Sequence, residues 1–233
     1  MASPEYSEQY TGKGDDRPLR RQLTEVYRLL LDRYGPQRWW PADDPFEVIV
    51  GAILTQSAAW GNVEKAMLNL KQAGALTPVS LRKLPLDKLA ELIYPSGYYN
   101  AKALKIKSFV EHLGDAHQDS LEKLFSLDIA SLRRELLNIH GIGPETADSI
   151  ILYAARKPIF VIDAYTRRIL SRLRLSPPRD DYSAFQKLFM QNLPADEKLF
   201  NEYHALLVRH GKEVCKKAPL CAQCCLRGIC LYR

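Results

Sequence analysis

Asp163 follows the apolar pair Val161-Ile162 and precedes Ala164-Tyr165-Thr166-Arg167-Arg168. A carboxylate at a helix entrance is kept ionised by the dipole and the free N–H groups there. It can stabilise a positive transition state or activate water, although many such residues act only as N-caps. Twenty residues upstream, Gly141-Ile142-Gly143-Pro144-Glu145-Thr146 reads as a tight turn opening a helix. Both glycines are free to adopt the positive φ such a turn needs, and Pro144 suits a first helical turn. Unpaired amides there would meet a phosphate with no Cβ in the way; the same residues also suit a plain helix-helix turn. The cysteines form a third group, Cys215-x5-Cys221-x2-Cys224-x5-Cys230 with Cys225 beside Cys224. Four thiolates so close in sequence suit a [4Fe-4S] cluster or zinc, whereas a disulfide scaffold spreads its cysteines through the chain. Finally, Trp39-Trp40-Pro41 and Trp60 offer aromatic faces on which a nucleobase can stack, with added cation-π attraction for an electron-poor alkylated purine. Core packing is the other use of such rings.

These groups must be positioned by helices. Helical periodicity runs over residues 18–34, 46–54, 63–73, 78–83, 86–94, 101–114, 121–125, 129–138, 164–174, 182–192 and 198–210, punctuated by Gly, Pro and Asn. Asp44-Pro45 predicts a capped start for the second of these. Residues 159–162 are mostly β-branched but only four long, and read as a buried connection. The fold class expected is all-α, with ten or more helices. A chain of 233 residues, 46% hydrophobic, can bury one large core or two smaller ones. The formal charge of +6 suits a polyanionic partner. No apolar run approaches the roughly 18–20 residues needed to span a bilayer, and residues 1–21 are polar rather than signal-like. A soluble, cytoplasmic protein with no membrane partner is expected.

A glycine hairpin followed about twenty residues later by a hydrophobic pair and Asp resembles the signature of the helix-hairpin-helix DNA glycosylases of the endonuclease III superfamily. Ala52-Ile53-Leu54-Thr55-Gln56 resembles that family's leucine-rich helix ending in Gln, and Gly97-Tyr98-Tyr99-Asn100-Ala101-Lys102-Ala103 resembles its glycine-aromatic-Asn-x-Lys-Ala loop. The resemblance covers the chain from about residue 20 to its end. It implies two helical lobes with a DNA cleft between them: residues 1–44 with 156–233, carrying an iron-sulfur loop at 215–230, and residues 45–155, carrying the hairpin at about 132–153. It implies Asp163 as the essential carboxylate. Gln56 would enter the duplex where a nucleotide is extruded, since chemistry at the glycosidic bond takes the base out of the stack. Gly141, Ile142, Gly143 and Thr146 join Gln56 as expected DNA contacts. The implied partner is double-stranded DNA with a damaged or mismatched base, bound by a monomer.

Relatives that also cut the strand carry a lysine two residues after the second glycine, where it attacks the sugar and forms an imine. Here that residue is Glu145, which cannot form one; it also suits a plain first-turn acid. With Asp163 it completes the candidate catalytic set. The superfamily's 3-methyladenine glycosylase branch has a Trp-Trp-Pro loop, an aromatic four residues past the Gln and a Glu in the hairpin, matched here by Trp39, Trp40, Pro41, Trp60 and Glu145. The cysteine loop resembles the iron-sulfur loop of endonuclease III, with its first spacing one residue short. The resemblance favours [4Fe-4S] over zinc, on Cys215, Cys221, Cys224 and Cys230, so the chain combines features of two branches. The expected activity is monofunctional removal of an alkylated purine such as 3-methyladenine. A mismatch thymine or uracil glycosylase, a damaged-DNA binding module and a zinc-bearing nucleic-acid protein are the alternatives.

Overall fold

A computed structural model describes residues 18–37, 39 and 44–232. Among them are twelve α-helices and no strand, so the chain is all-α as its periodicity predicts. They are α1 (Pro18–Tyr34), α2 (Pro45–Leu54), α3 (Trp60–Gln72), α4 (Pro78–Lys83), α5 (Leu86–Leu92), α6 (Tyr99–His117), α7 (Leu121–Phe125), α8 (Ile129–Asn138), α9 (Pro144–Ser149), α10 (Ala164–Arg172), α11 (Tyr182–Asn192) and α12 (Glu197–Glu213). Two compact units result, one drawn from Met1–Trp39 and Pro158–Arg233, the other from Trp40–Lys157. Among the described residues, no helix is long and apolar enough to cross a membrane.

The unit at Trp40–Lys157 is built around α2. Asp44 caps it, its carboxylate accepting from the Phe46 and Glu47 amides at 2.7 and 3.1 Å, and Pro45 occupies the first turn. Every residue of Phe46–Leu54 is buried, so the helix is a core element packed on all sides rather than a surface helix with one apolar stripe. One partner is the π-helical turn Ile150–Ala154 that continues α9, also wholly buried. Its wider winding leaves the Ala155 amide donating back to the Ile150 carbonyl at 3.0 Å.

In the other unit α12 packs against α1 and α10, and Phe160 meets α11 and α12. That ring stacks on Phe189 with centroids 3.7 Å apart and meets Phe200 and Tyr203 edge-on. Residues 159–162 are a buried non-helical connection. Side chains help satisfy their backbone, because Gln186 donates to the Phe160 carbonyl at 2.8 Å and the Ile162 amide donates to the Tyr182 hydroxyl oxygen at 3.3 Å. This connection delivers the chain to Asp163.

Candidate active site and nucleic-acid interface

The hairpin is α8, the turn 139–143 and α9. Its two helices are locked by a fork: Arg133 Nε and Nη2 donate to the two carboxylate oxygens of Asp148 at 2.7 and 3.2 Å, and the Asp148 side chain is fully buried. In the turn, Gly141 has φ +82°, a conformation L side chains rarely adopt. Gly143 departs from expectation. Its φ of −90° and ψ of 178° are extended backbone, because it serves as N-cap of α9 and the chain has already reversed at Gly141. A Cβ on Gly143 would meet nothing within 4 Å, so its flank stays open. Ile142 between them is buried, its amide donating to the Ile139 carbonyl at 3.1 Å. Glu145 is exposed in the first turn of α9.

Gln56 lies just beyond the end of α2 and joins this turn. Its amide nitrogen donates to the Gly141 carbonyl at 3.2 Å and to the Thr146 hydroxyl at 2.9 Å, while Lys105 Nζ donates to its amide oxygen at 2.5 Å. Gln56, Gly141 and Thr146, far apart in sequence, thus form one cluster. Lys105 is a member that sequence reasoning missed. Its methylenes lie over Gly141, where an added Cβ would fall 2.2 Å from Lys105 Cγ. The ammonium therefore stands at the hairpin turn, suited to a phosphate. Lys102, three residues earlier, is nearly fully buried and donates to the Leu54 and Ser96 carbonyls at 2.8 and 2.7 Å. Burial lowers its pKa. It pins the last turn of α2, and so the backbone leading to Gln56.

Asp163 stands in the other unit as N-cap of α10, its Oδ1 accepting from the Thr166 amide at 2.7 Å. The N-cap reading is thus visible, and 8% of its surface remains exposed. Oδ2 lies 3.8 Å from Nε2 of His204, a buried residue of α12. Burial lowers the His204 pKa and outweighs the opposing pull of Asp163, so a neutral imidazole flanks the carboxylate. Nothing in the spacing of the two residues signalled this pair.

The helix that Asp163 opens also anchors the cysteine loop. Arg168 donates to the Cys215 and Gly211 carbonyls at 2.8 and 3.0 Å. One turn on, Arg172 donates to Cys215 Sγ at 3.2 Å and to the Lys216 and Lys217 carbonyls at 2.6 and 2.9 Å. Cys230 Sγ approaches the Arg172 carbonyl at 3.7 Å, and Cys224 Sγ lies 3.5 Å from His210 Nε2. All five cysteines are free thiols. Burial pushes Cys224 up to about 11, and the nearby sulfurs of Cys225, Cys215 and Cys230 push the same way. Cys225, also raised mainly by burial, feels Arg33 instead. The loop therefore offers Cys215, Cys221, Cys224 and Cys230 as sulfur donors, with Cys225 adjacent to Cys224 in the chain. This donor set fits a thiolate-bound cluster.

The tryptophans are divided. Trp39 is half-buried in the Asp163 unit, with Lys212 Nζ 5.8 Å from its ring centroid. Trp60 opens α3 in the hairpin unit, half-buried, its indole N–H donating to Glu64 at 2.7 Å. Trp40 and Pro41 lie outside the described residues.

Residues 50–195 match the family described as HhH-GPD superfamily base excision DNA repair protein. A Methanocaldococcus jannaschii protein assigned as a DNA repair glycosylase is 45% identical over 91% of the chain and 96% of its own length. Endonuclease III of Thermotoga maritima is 32% identical over 90% of the chain and 92% of its length. Among solved structures, the H. pylori 3-methyladenine DNA glycosylase MagIII, bound to 1,N6-ethenoadenine, superposes with a TM-score of 0.72 at 28% identity, over 84% of this chain and 97% of that one. A non-covalent endonuclease III–DNA complex shares the fold with a TM-score of 0.78 at 22% identity, over 91% and 95% of the two chains.

Proposed function

The chain belongs to the HhH-GPD superfamily of base excision DNA repair proteins, as a DNA glycosylase of that family, and from this premise we propose that it removes an alkylated purine such as 3-methyladenine by hydrolysis without cutting the strand. The observation carrying this reading is the absence of an amine at the hairpin position held by Glu145, in a chain whose other unit carries a low-exposure carboxylate, Asp163. An N-alkylated purine is already cationic and departs as a neutral base, so no general acid is required. What is needed is negative charge against the oxocarbenium-like sugar and a route for water to C1′. Asp163 supplies the first; neutral His204 beside it adds no competing positive charge. Water adds to C1′ as the C1′–N bond breaks, and its proton passes to the carboxylate or solvent.

With Glu145 at that position the hairpin helix itself carries no amine to form an imine, and Lys105 at the turn is engaged with the Gln56 amide oxygen, which favours base release over strand scission. Gln56, held with Lys105 against the hairpin turn, would on this reading leave that turn to enter the duplex, with Lys105 meeting a phosphate beside it. Trp39 in one unit and Trp60 in the other are each half-buried rings on which a base can stack, and the ethenoadenine-bound H. pylori relative supports a purine as the substrate. Cys215, Cys221, Cys224 and Cys230 would hold a [4Fe-4S] cluster, whose contribution is to fix a loop with little apolar content of its own.

The test is a panel of duplexes bearing 3-methyladenine, 7-methylguanine, hypoxanthine, uracil, mismatched thymine and oxidised bases, read with and without alkali. The expected result is release of alkylpurines, breaks only after alkali, no covalent complex trapped by borohydride, and loss of excision with retained binding in Asp163→Asn. Release of thymine or uracil alone would transfer the assignment to a mismatch glycosylase. Efficient borohydride trapping would remove the monofunctional claim.

A further inference from the structure

Away from the hairpin turn and the cysteine loop, three side chains converge on one point. His112 lies on the last turns of α6, His117 ends that helix, and Glu135 lies on α8 between the buried Leu132 and Leu136. Their ligand atoms all lie within 4.8 Å of one another, the only such group of three His, Cys, Asp or Glu side chains among the described residues. Nε2 of His112 stands 2.7 Å from Glu135 Oε1, and Nε2 of His117 makes a short contact with the same oxygen. The two rings meet edge-on with centroids 6.0 Å apart. We propose that His112, His117 and Glu135 form a binding site for a divalent transition-metal ion, zinc being the representative, that staples the end of α6 to the first helix of the hairpin.

The chemistry of the donors selects the ion. Two imidazole nitrogens and one carboxylate oxygen suit zinc and its first-row neighbours and are poor for the all-oxygen shells of calcium or magnesium. At zinc–nitrogen and zinc–oxygen distances of about 2.0–2.1 Å, tetrahedral ligands stand roughly 3.3 Å apart. The present contacts open to that spacing by side-chain shifts well under about 1 Å, within the play of one rotamer well. Each imidazole would bind through Nε2 as a neutral ring with its proton on Nδ1. Side-chain exposures of 30% for His112, 13% for His117 and 25% for Glu135 leave the point open on one side, for entry and for water as fourth ligand.

The backbone under the site is already fixed. Helix α6 ends in a left-handed turn at Gln118, where the Gln118 and Asp119 amides donate back to Gly114 and Leu113. Asp119 is then gripped by both Nη atoms of Arg82 at 2.6 and 2.7 Å. His117 is therefore set before any ion arrives, which lowers the ordering cost of binding. The Arg133–Asp148 fork holds α8 from its other side. An ion here would act on the stability of the hairpin and leave bond cleavage to the residues already named.

The full chain, exposed to excess zinc and dialysed, is assayed for zinc and iron by mass spectrometry. Its bound zinc is examined by X-ray absorption at the zinc edge. The expected outcome is one retained zinc per chain with a nitrogen and oxygen shell at about 2.0–2.1 Å, and a melting temperature raised by zinc. The double variant His112→Gln, His117→Gln should lose that equivalent and the zinc-dependent rise, with its iron unchanged. A shell of sulfur alone near 2.3 Å would place the zinc in the cysteine loop and overturn the site. So would a chain that retains no zinc, or a variant that retains it all. Because the absorption measurement uses the unaltered chain, a variant that fails to fold leaves the decision to the wild-type shell.

Discussion

Asp163 caps a helix and, in the function proposed, would also carry the chemistry. Its Oδ1 is spent on the Thr166 amide, which holds the carboxylate rigid, while Oδ2 points past His204. The neutrality of His204 has a measurable consequence. Burial lowers its pKa, so in the window just below the ordinary histidine value of about 6.5 the unfolded chain takes up a proton that the folded chain refuses. The stability it contributes is full above that value and is lost as the pH falls through it toward the lowered folded pKa. Melting temperature should therefore decline on acidification through the histidine range, and His204→Gln should flatten that part of the profile; an unchanged slope would show that His204 is not the group responsible. Asp163 was legible in the sequence because an apolar run delivering a carboxylate to a helix start is a local pattern. His204, 41 positions away, was not, since nothing local ties it to Asp163. Lys105, 49 positions from Gln56, was hidden for the same reason.

Among the elements, most helices were readable from apolar spacing and punctuation, and the Asp44-Pro45 start of α2 from its cap chemistry. The edges were harder. Helix α3 begins at Trp60 rather than at Val63, because Trp60-Gly61-Asn62 carries no apolar period, yet Trp60 reaches Glu64 across one turn. Helix α6 runs three residues past Gly114 to His117, over Asp115 and Ala116, which are exposed, and His117, which meets Glu135. The π turn 150–154 was invisible, since five consecutive buried apolar residues have no phase to read. The two hairpin helices are joined by the Arg133 to Asp148 bond pair. Arg133→Ala leaves a buried carboxylate without that partner and should cost about 2–3 kcal/mol, the low side for a broken buried pair because the Arg133 side chain is partly solvated. Chemical denaturation checks this, and a loss under about 0.5 kcal/mol would mean the carboxylate is satisfied otherwise.

Over the whole molecule, one helix unites two features that the sequence presents as separate motifs. Asp163 caps the first turn of α10, and Arg168 and Arg172 on its later turns hold the start of the cysteine loop by four hydrogen bonds, with a fifth from Arg168 to Gly211 near the end of α12. The nine residues of α10 amount to a rod of about 14 Å between the carboxylate and the loop. Mild oxidation of the thiols should therefore reduce excision while the helical circular dichroism signal is still near its starting value. Full excision after every thiol has reacted would show that the rod transmits nothing. An enzyme that lifts out bases without cutting leaves abasic sites for others to finish, and such sites are themselves hazardous. On the proposed reading, α10 joins the carboxylate that would drive base release to the cysteine loop, so the fold would act as a fuse: oxidation that damages the loop would also stop the creation of abasic sites.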